Sequence, residues 1–228
     1  MKKRFYPVAF IVLSTLASAS LLQASDWSRY RDFHLGSSVA DVAKQTGMES
    51  SEAKLISSRP ERIEELDWRT NRSDSNASRA DSVREIRFRF YDGSLFEMMV
   101  AYDGDQTGGM TDTDMTEALS TIYGPSSTPV TKEMVFNSGY TSAVRTIAQW
   151  GDTQNVLNLV GFTYGRGFGL IVSSSDNQTL ARRAMAESER LDRAEAPQRA
   201  LDQQAKQVAD NEAKDEKSRL VNKPGFRP

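Results

Sequence analysis

The sharpest chemical motif in the chain is an acidic loop. Asp103, Asp105 and Thr107, followed by Gly108, Met110, Thr111 and Asp114, match loop positions of about 1, 3, 5, 6, 8, 9 and 12 in an EF-hand-like calcium site. A hard cation needs several oxygens at such intervals, and the glycine permits the sharp turn. Three features depart from the pattern. Asp114 is shorter than the usual bidentate glutamate, Thr107 brings no carboxylate, and a strand rather than a helix comes before the loop. The competing reading is a polar strand-to-helix connection in which Asp114 serves as a cap. Calcium held by Asp103, Asp105, Thr107, Thr111 and Asp114 is the one cofactor expectation.

Catalysis has thinner support. His34 is the only histidine, and no Gly-x-Ser-x-Gly elbow accompanies it, so a Ser-His-Asp relay lacks its usual nucleophile turn. Glu64, Glu65, Asp67, Glu85 and Glu97 could supply a carboxylate pair for glycoside chemistry, but acids on exposed strand faces need no such role. The run Gly165-Arg166-Gly167-Phe168-Gly169 sits in a strand hairpin without a following helix, so it lacks the amide nest and dipole that cradle phosphate. The expectation is a protein without enzymatic activity.

Among the elements that carry these residues, the clearest pattern is a recurrence. Phe88, Phe90, Gly93, Phe96, Met98 and Val100 return 72 residues later as Val160, Phe162, Gly165, Phe168, Leu170 and Val172. A fixed offset implies one supersecondary unit used twice. Each unit reads as a helix, a loop and three strands. The expected architecture is α+β: a first repeat over 26–105, a second over 106–175, and a charged, partly disordered helical tail over 176–228.

The first helix has a capping signal at Ser38-x-x-Asp41, an apolar side at Val39, Val42, Ala43 and Thr46, and a stop at Gly47. The second draws on start signals at Thr111, Thr113 and Asp114, with Asp114-x-x-Glu117 as the best box. Its stripe is Met115, Leu119 and Ile122, and Gly124-Pro125 ends it. Thr70 to Ser82 reads as an aperiodic insertion.

Strand parity sets the hairpins. For the apolar residues of both strands to share a face, the turn needs an odd length, which Tyr91-Asp92-Gly93 and Thr163-Tyr164-Gly165 provide. Phe88 then opposes Phe96, Ile86 opposes Met98, Arg87 faces Glu97, and Val160 lies opposite Phe168. The strand before each hairpin ends at a tryptophan, Trp68 or Trp150, read as core or as a ligand-stacking surface.

Composition changes near Asp176, beyond which Phe226 is the only aromatic residue. Acid-before-base pairs at Glu189/Arg193, Asp202/Lys206 and Asp210/Lys214 favour helix. Its apolar positions are too sparse for a sustained heptad seam, and Pro197 is expected to break or kink it. The tail therefore reads as a solvated segment or, alternatively, as a partner-binding or dimerising helix.

The N-terminus reads as a signal peptide over 1–24. Lys2, Lys3 and Arg4 form a basic region, Val8 to Leu16 is apolar but too short to span a bilayer, and small residues at Ala17, Ala19 and Ala24 offer cleavage sites. Cleavage between Ala19 and Ala24 implies a periplasmic or extracellular protein with no transmembrane segment after processing. Removing those three cations takes the formal net charge from −2 to −5, which does not suit a phosphate-binding surface, so no nucleic-acid partner is expected. The chain has no cysteine. Stability must come from a hydrophobic core rather than from disulfides or thiolate metal sites.

The Leu35-Gly36-Ser37-Ser38-Val39-Ala40-Asp41-Val42 run, with Gly47 after it, resembles the opening of the small BamE/SmpA outer-membrane assembly lipoproteins. Duplication of such a module is similar to the secreted β-lactamase inhibitory protein. The resemblance implies an α+β protein whose sheets offer a binding surface for a protein partner, without enzymatic activity. Two departures limit it: the chain has no lipobox cysteine and no disulfide cysteines. The leading expectation is an exported, non-enzymatic binding or scaffold protein. A calcium-stabilised structural protein using the 103–114 loop and a hydrolase are the alternatives.

Overall fold

The computed structural model describes residues 26–70, 82–127, 133–136, 142–162, 167–225 and 227. The signal-peptide reading, the interior of the 70–82 insertion and the Thr163-Tyr164-Gly165 turn lie outside them. No helix among the described residues is long and apolar enough to cross a membrane.

A small hairpin of β1 (Arg29–Tyr30) and β2 (Phe33–His34) opens the chain, followed by helix α1 (Val39–Thr46). Strands β3 (Lys54–Ser57), β4 (Ile63–Arg69), β5 (Val83–Tyr91) and β6 (Ser94–Tyr102) come next. Helix α2 (Asp112–Tyr123) then precedes β7 (Glu133–Phe136), β8 (Ser142–Gly151), β9 (Asn155–Phe162) and β10 (Phe168–Ser174), and helix α3 (Ser175–Asn222) ends the fold. β3 to β10 form one eight-stranded sheet in the order β3-β4-β5-β6-β10-β9-β8-β7, antiparallel at every junction. The α+β class is as expected. Each half contributes four strands rather than three, because the short edge strands β3 and β7 carry too few residues for a period-two signal.

Rows of side chains across the two halves correspond. Trp68, Ile86 and Val100 are neighbours on β4, β5 and β6, as Trp150, Leu157 and Val172 are on β8, β9 and β10. The next row is Leu66, Phe88 and Met98 in one half and Ala148, Leu159 and Leu170 in the other. The halves meet where Met98 pairs with Val172 and Val100 with Leu170. The expected ungapped offset of 72 therefore does not hold throughout: it holds between β6 and β10, but Phe88 corresponds in register to Leu159, not Val160. Val160 points to the opposite face, packed with Val144 and Ile171.

The first hairpin also departs from the parity reading. Its turn is the two-residue Asp92-Gly93, with φ of 47° and 77°, the left-handed pair of a type I′ turn. Parity is restored by a bulge: Arg89 pairs with Glu97 and Phe90 with Leu95, leaving Phe96 as the extra residue. Phe88 thus faces Met98, Ile86 faces Val100 and Arg87 faces Met99. In the second hairpin Phe168 pairs with Gly161 and Val160 with Gly169.

One face of the sheet carries the main core. Phe88, Phe90, Leu95, Met98, Leu157, Leu159 and Leu170 pack there beneath Val42 and Ala43 of α1 and Met115, Leu119 and Tyr123 of α2. Phe33 from the small hairpin meets Phe88 with ring centroids 4.7 Å apart. Helix α1 starts and stops as its sequence specifies, with the Ser38 hydroxyl accepting from the Asp41 amide and Gly47 at a φ of 72°. For α2 the box is Thr111 with Asp114, not Asp114 with Glu117. Its buried stripe runs Met115, Leu119, Tyr123, leaving Ile122 66% exposed.

Helix α3 differs most from expectation. It runs unbroken through Pro197, and its first part docks on the other face of the sheet. Ala181, Ala184 and Met185 cover Ile63, Phe96 and Tyr91. The Gln178 amide donates to Glu97 at 2.8 Å, and the Ser57 hydroxyl to Ser188 at 3.1 Å. Small alanines allow close approach without an apolar stripe visible in the sequence. From Ala196 onward every described residue is exposed.

Candidate functional site

The loop after β6 is closed by its own polar groups. The Asp103 carboxylate accepts from the Asp105 amide at 2.8 Å, and the buried Thr107 hydroxyl donates to the Asp103 carbonyl at 2.9 Å. Asp114 accepts from the Thr111 amide at 2.7 Å and the Thr111 hydroxyl at 2.8 Å. These bonds hold its carboxyl below the usual carboxylate range. The donors expected to face a cation are spread between an Asx turn and a helix cap. Among the described residues no group of three or more histidine, cysteine, aspartate or glutamate side chains is placed to hold a metal.

The same loop does form a wall. Thr107, Gln106 and Met110 line a cleft of about 650 Å³ that is completed by the β1–β2 hairpin and α2. Tyr30, Tyr102 and Tyr123, all buried, join Met115 and Leu119 in the lining. Ile122, Arg29, Arg31, Asp26 and Asp32 contribute its exposed lining. Burial pushes the Tyr102 phenol well above its ordinary value and that of Tyr123 up to about 12, so both remain neutral O–H groups at physiological pH. Arg31 at the turn of the hairpin takes a φ of 52°. Its guanidinium lies 5.5 Å from the Tyr30 ring, a cation–π distance. The Trp27 indole donates to the Tyr123 carbonyl at 3.4 Å, tying the N-terminal segment to the end of α2.

On the far side of the loop, a second cavity of about 680 Å³ lies between Gly108, Gly109, Arg145, Phe162 and Phe168, with Thr107 and Met110 shared by both. Arg145 is ion-paired with Asp112 at 2.8 Å. The first cleft offers the richer recognition chemistry, an apolar floor with several hydroxyls inside a charged rim, which is the composition of a binding pocket.

The remaining sequence candidates fall elsewhere. His34 is exposed and pairs with Arg29 in the small hairpin. Trp150 is buried with its indole donating to the Gly124 carbonyl at 2.8 Å, and Trp68 packs half-buried against the main core. All five carboxylates are ion-paired, Glu65, Asp67, Glu85 and Glu97 on the sheet's second face and Glu64 level with Phe90 on the core-side face. Glu64 meets Arg62 at 2.7 Å, Glu65 and Asp67 meet Arg87 at 3.3 and 2.9 Å, Glu85 meets Arg87 at 3.8 Å, and Glu97 meets Arg89 at 3.0 Å. Gly165 and Arg166 lie outside the described residues.

Thr107 is legible in the sequence as a loop residue, but the three tyrosines are not. Tyr30 lies on a two-residue strand that has no periodicity, and Tyr123 was masked by Ile122 as the last apolar position of α2. The alternation along β6 that ends at Tyr102 was the signal that could have been followed one step further. No family model, curated protein or solved structure matches the chain.

Proposed function

We propose that this chain is an exported, non-enzymatic binding module that captures a protein partner through the tyrosine-lined cleft. The cleft is the observation that carries the reading. Tyrosine, methionine and arginine around a concave apolar floor are the residue types that anchor protein interfaces, and the solvent-facing Ile122 adds an apolar contact at its mouth. The occupant that fits is an apolar or aromatic side chain of the partner, its backbone or hydroxyl groups meeting the neutral phenols and its charges meeting Arg29, Arg31, Asp26 and Asp32.

The matched rows of the two sheet halves, each preceded by a helix, support reading 26–105 and 106–175 as two copies of one module. The resemblance of residues 35–47 to BamE/SmpA modules points the same way. The basic and apolar character of 1–24 supports export to the periplasm or beyond.

The test is site-specific photocrosslinking in the native envelope, with a crosslinking amino acid placed at Ile122 and, as control, at Leu201 on the exposed part of α3. A protein adduct formed from position 122, absent from 201, and lost when Met115→Lys fills the floor with charge is the expected outcome. Equal labelling from both positions, or an adduct from 122 that survives Met115→Lys in folded protein, overturns the cleft as the binding site.

A further inference from the structure

The docked and exposed parts of α3 are joined at Pro197, and the charges around that joint form a single connected group. Arg59, in the β3–β4 connection, places its two terminal nitrogens on both oxygens of Glu195, at 2.7 and 2.8 Å. One of those nitrogens also reaches Asp192 Oδ1 at 2.8 Å. The same Oδ1 accepts from Arg199 at 3.1 Å, and the Arg199 guanidinium donates to the Asp192 carbonyl at 2.8 Å. Arg59 belongs to a loop of the body, Asp192 and Glu195 to the docked segment, and Arg199 to the exposed one. Asp192 is thus the residue through which body, docked helix and outer helix are tied.

The joint itself is a weak point in the helix. Proline at 197 has no N–H to give the carbonyl of Arg193, and its ring crowds that carbonyl. Beyond it, Gln198 to Asn222 continue as helix with every side chain exposed. Nothing among these 25 residues packs on a core that would fix their direction. The charged group at the joint is itself about half exposed, with 40% of the Arg59 and 54% of the Asp192 side chain accessible, so dissolved salt can reach it.

We propose that Arg59, Asp192, Glu195 and Arg199 form an ionic hinge that sets the direction of the outer helix and releases it when their charges are screened. At low ionic strength the outer helix is an aligned arm. At high ionic strength it swings about Pro197 while the segment over Ile63 and Phe96 stays docked. An arm of that length is about 37 Å long, so a kink of about 20° displaces its tip by about 13 Å.

The absence of cysteine makes the test direct on the full chain. Nitroxide labels at Ala40→Cys and Ala213→Cys report arm against body, and labels at Ala40→Cys and Arg183→Cys report docked segment against body, both by double electron–electron resonance. In low salt the arm pair gives a narrow distance distribution. Arg199→Gln broadens and shifts it, high salt does the same in the unsubstituted joint, and the docked pair stays narrow throughout. Far-UV circular dichroism unchanged by Arg199→Gln shows that the helix has swung rather than melted. The proposal is overturned if the arm distribution is already broad in low salt, if Arg199→Gln and salt both leave it narrow, if helix content falls, or if the docked pair broadens in step with the arm.

Discussion

The two halves of the sheet have the same inner rows and different outer ones. On the inner face Leu66, Phe88 and Met98 correspond to Ala148, Leu159 and Leu170, all packed in one core. On the outer face the cross-strand pair Asp67 and Arg87 is an ion pair at 2.9 Å. Its counterpart is Gln149 with Asn158, an uncharged amide hydrogen bond at 3.1 Å. Alongside, the first half carries the pair Arg89 and Glu97, whereas the second carries Val160 and Gly169. Packing density holds the inner rows to apolar residues of fitting volume, and the outer rows are set by what covers them. In the first half that cover is α3, which reaches Glu97 through Gln178 and the Arg89 side chain through Met185.

The inner rows give the largest test of the comparison. Phe88→Ala should destabilise by about 3–5 kcal/mol and Leu159→Ala by about 2–5 kcal/mol, since both side chains are fully buried. Chemical denaturation should show one transition for each variant. A loss below about 1 kcal/mol for Leu159→Ala, with Phe88→Ala costly, would mean that the halves do not share one cooperative core.

Cover over the outer face is tested by truncation. Deleting 175–228 uncovers Ile63 and Phe96 and should lower stability by about 2–3 kcal/mol, from the apolar area exposed. Every described residue of 198–228 is exposed, and deleting that segment should leave the melting temperature of the body nearly unchanged. Equal effects of the two deletions would show that the outer helix supports the body after all.

Some of this was legible in the sequence and some was not, for reasons that differ by element. Helix α1 was readable end to end because Ser38, Asp41 and Gly47 act within a few residues of themselves. The apolar character of β5 and β6 was readable from alternation, but their register was not. A type I′ turn plus a bulge at Phe96 and a three-residue loop satisfy the same parity, and only the second layer beneath α3 requires Phe96 on the outer face. Docking of α3 left no apolar signal, because its contacts are Ala181, Ala184 and hydrogen-bonding side chains. The cleft was hidden because its tyrosines come from three segments far apart in the chain, each of them the last residue of its element.

Glycines separate local from cross-half effects. A Cβ at Gly169 would lie 2.8 Å from the Val100 carbonyl oxygen, so Gly169→Ala forces β10 away from β6 and should destabilise by about 2 kcal/mol. At Gly93 a Cβ would meet nothing within 4 Å. Gly93→Ala should therefore cost about 1 kcal/mol, through the left-handed backbone alone, and Asn should be better tolerated there. Thermal melts of the three variants check the order. If Gly93→Ala proved the costlier substitution, the junction between the halves would be looser than the first hairpin.

The smallest effect concerns pH, and it separates two neighbouring carboxylates of the first half by sign. Burial pushes the Glu65 carboxyl up despite the nearby Arg87 guanidinium. Burial would also raise Asp67, but hydrogen bonds from Lys54 and Arg87 outweigh it and hold that carboxyl low. For Glu65 the folded chain keeps its proton above the unfolded pKa, so its contribution to stability declines as pH rises from about 4.5 through the folded value. For Asp67 the unfolded chain takes up protons first. Its contribution is complete above the unfolded value near 3.8 and is lost as pH falls through the lower folded value. Glu65→Gln removes the first of these and leaves the second. The melting temperature of Glu65→Gln relative to the unsubstituted chain should therefore rise between pH 4 and pH 7, in the direction set by linkage. A control substitution in the other half, Asn158→Ala, breaks an amide pair with no ionisable member and should shift the melting temperature by the same amount at every pH. A flat difference for Glu65→Gln would mean that Arg87 and Arg89 compensate the buried carboxylate fully. The charged outer rows of the first half would then be as indifferent to pH as the amide rows of the second.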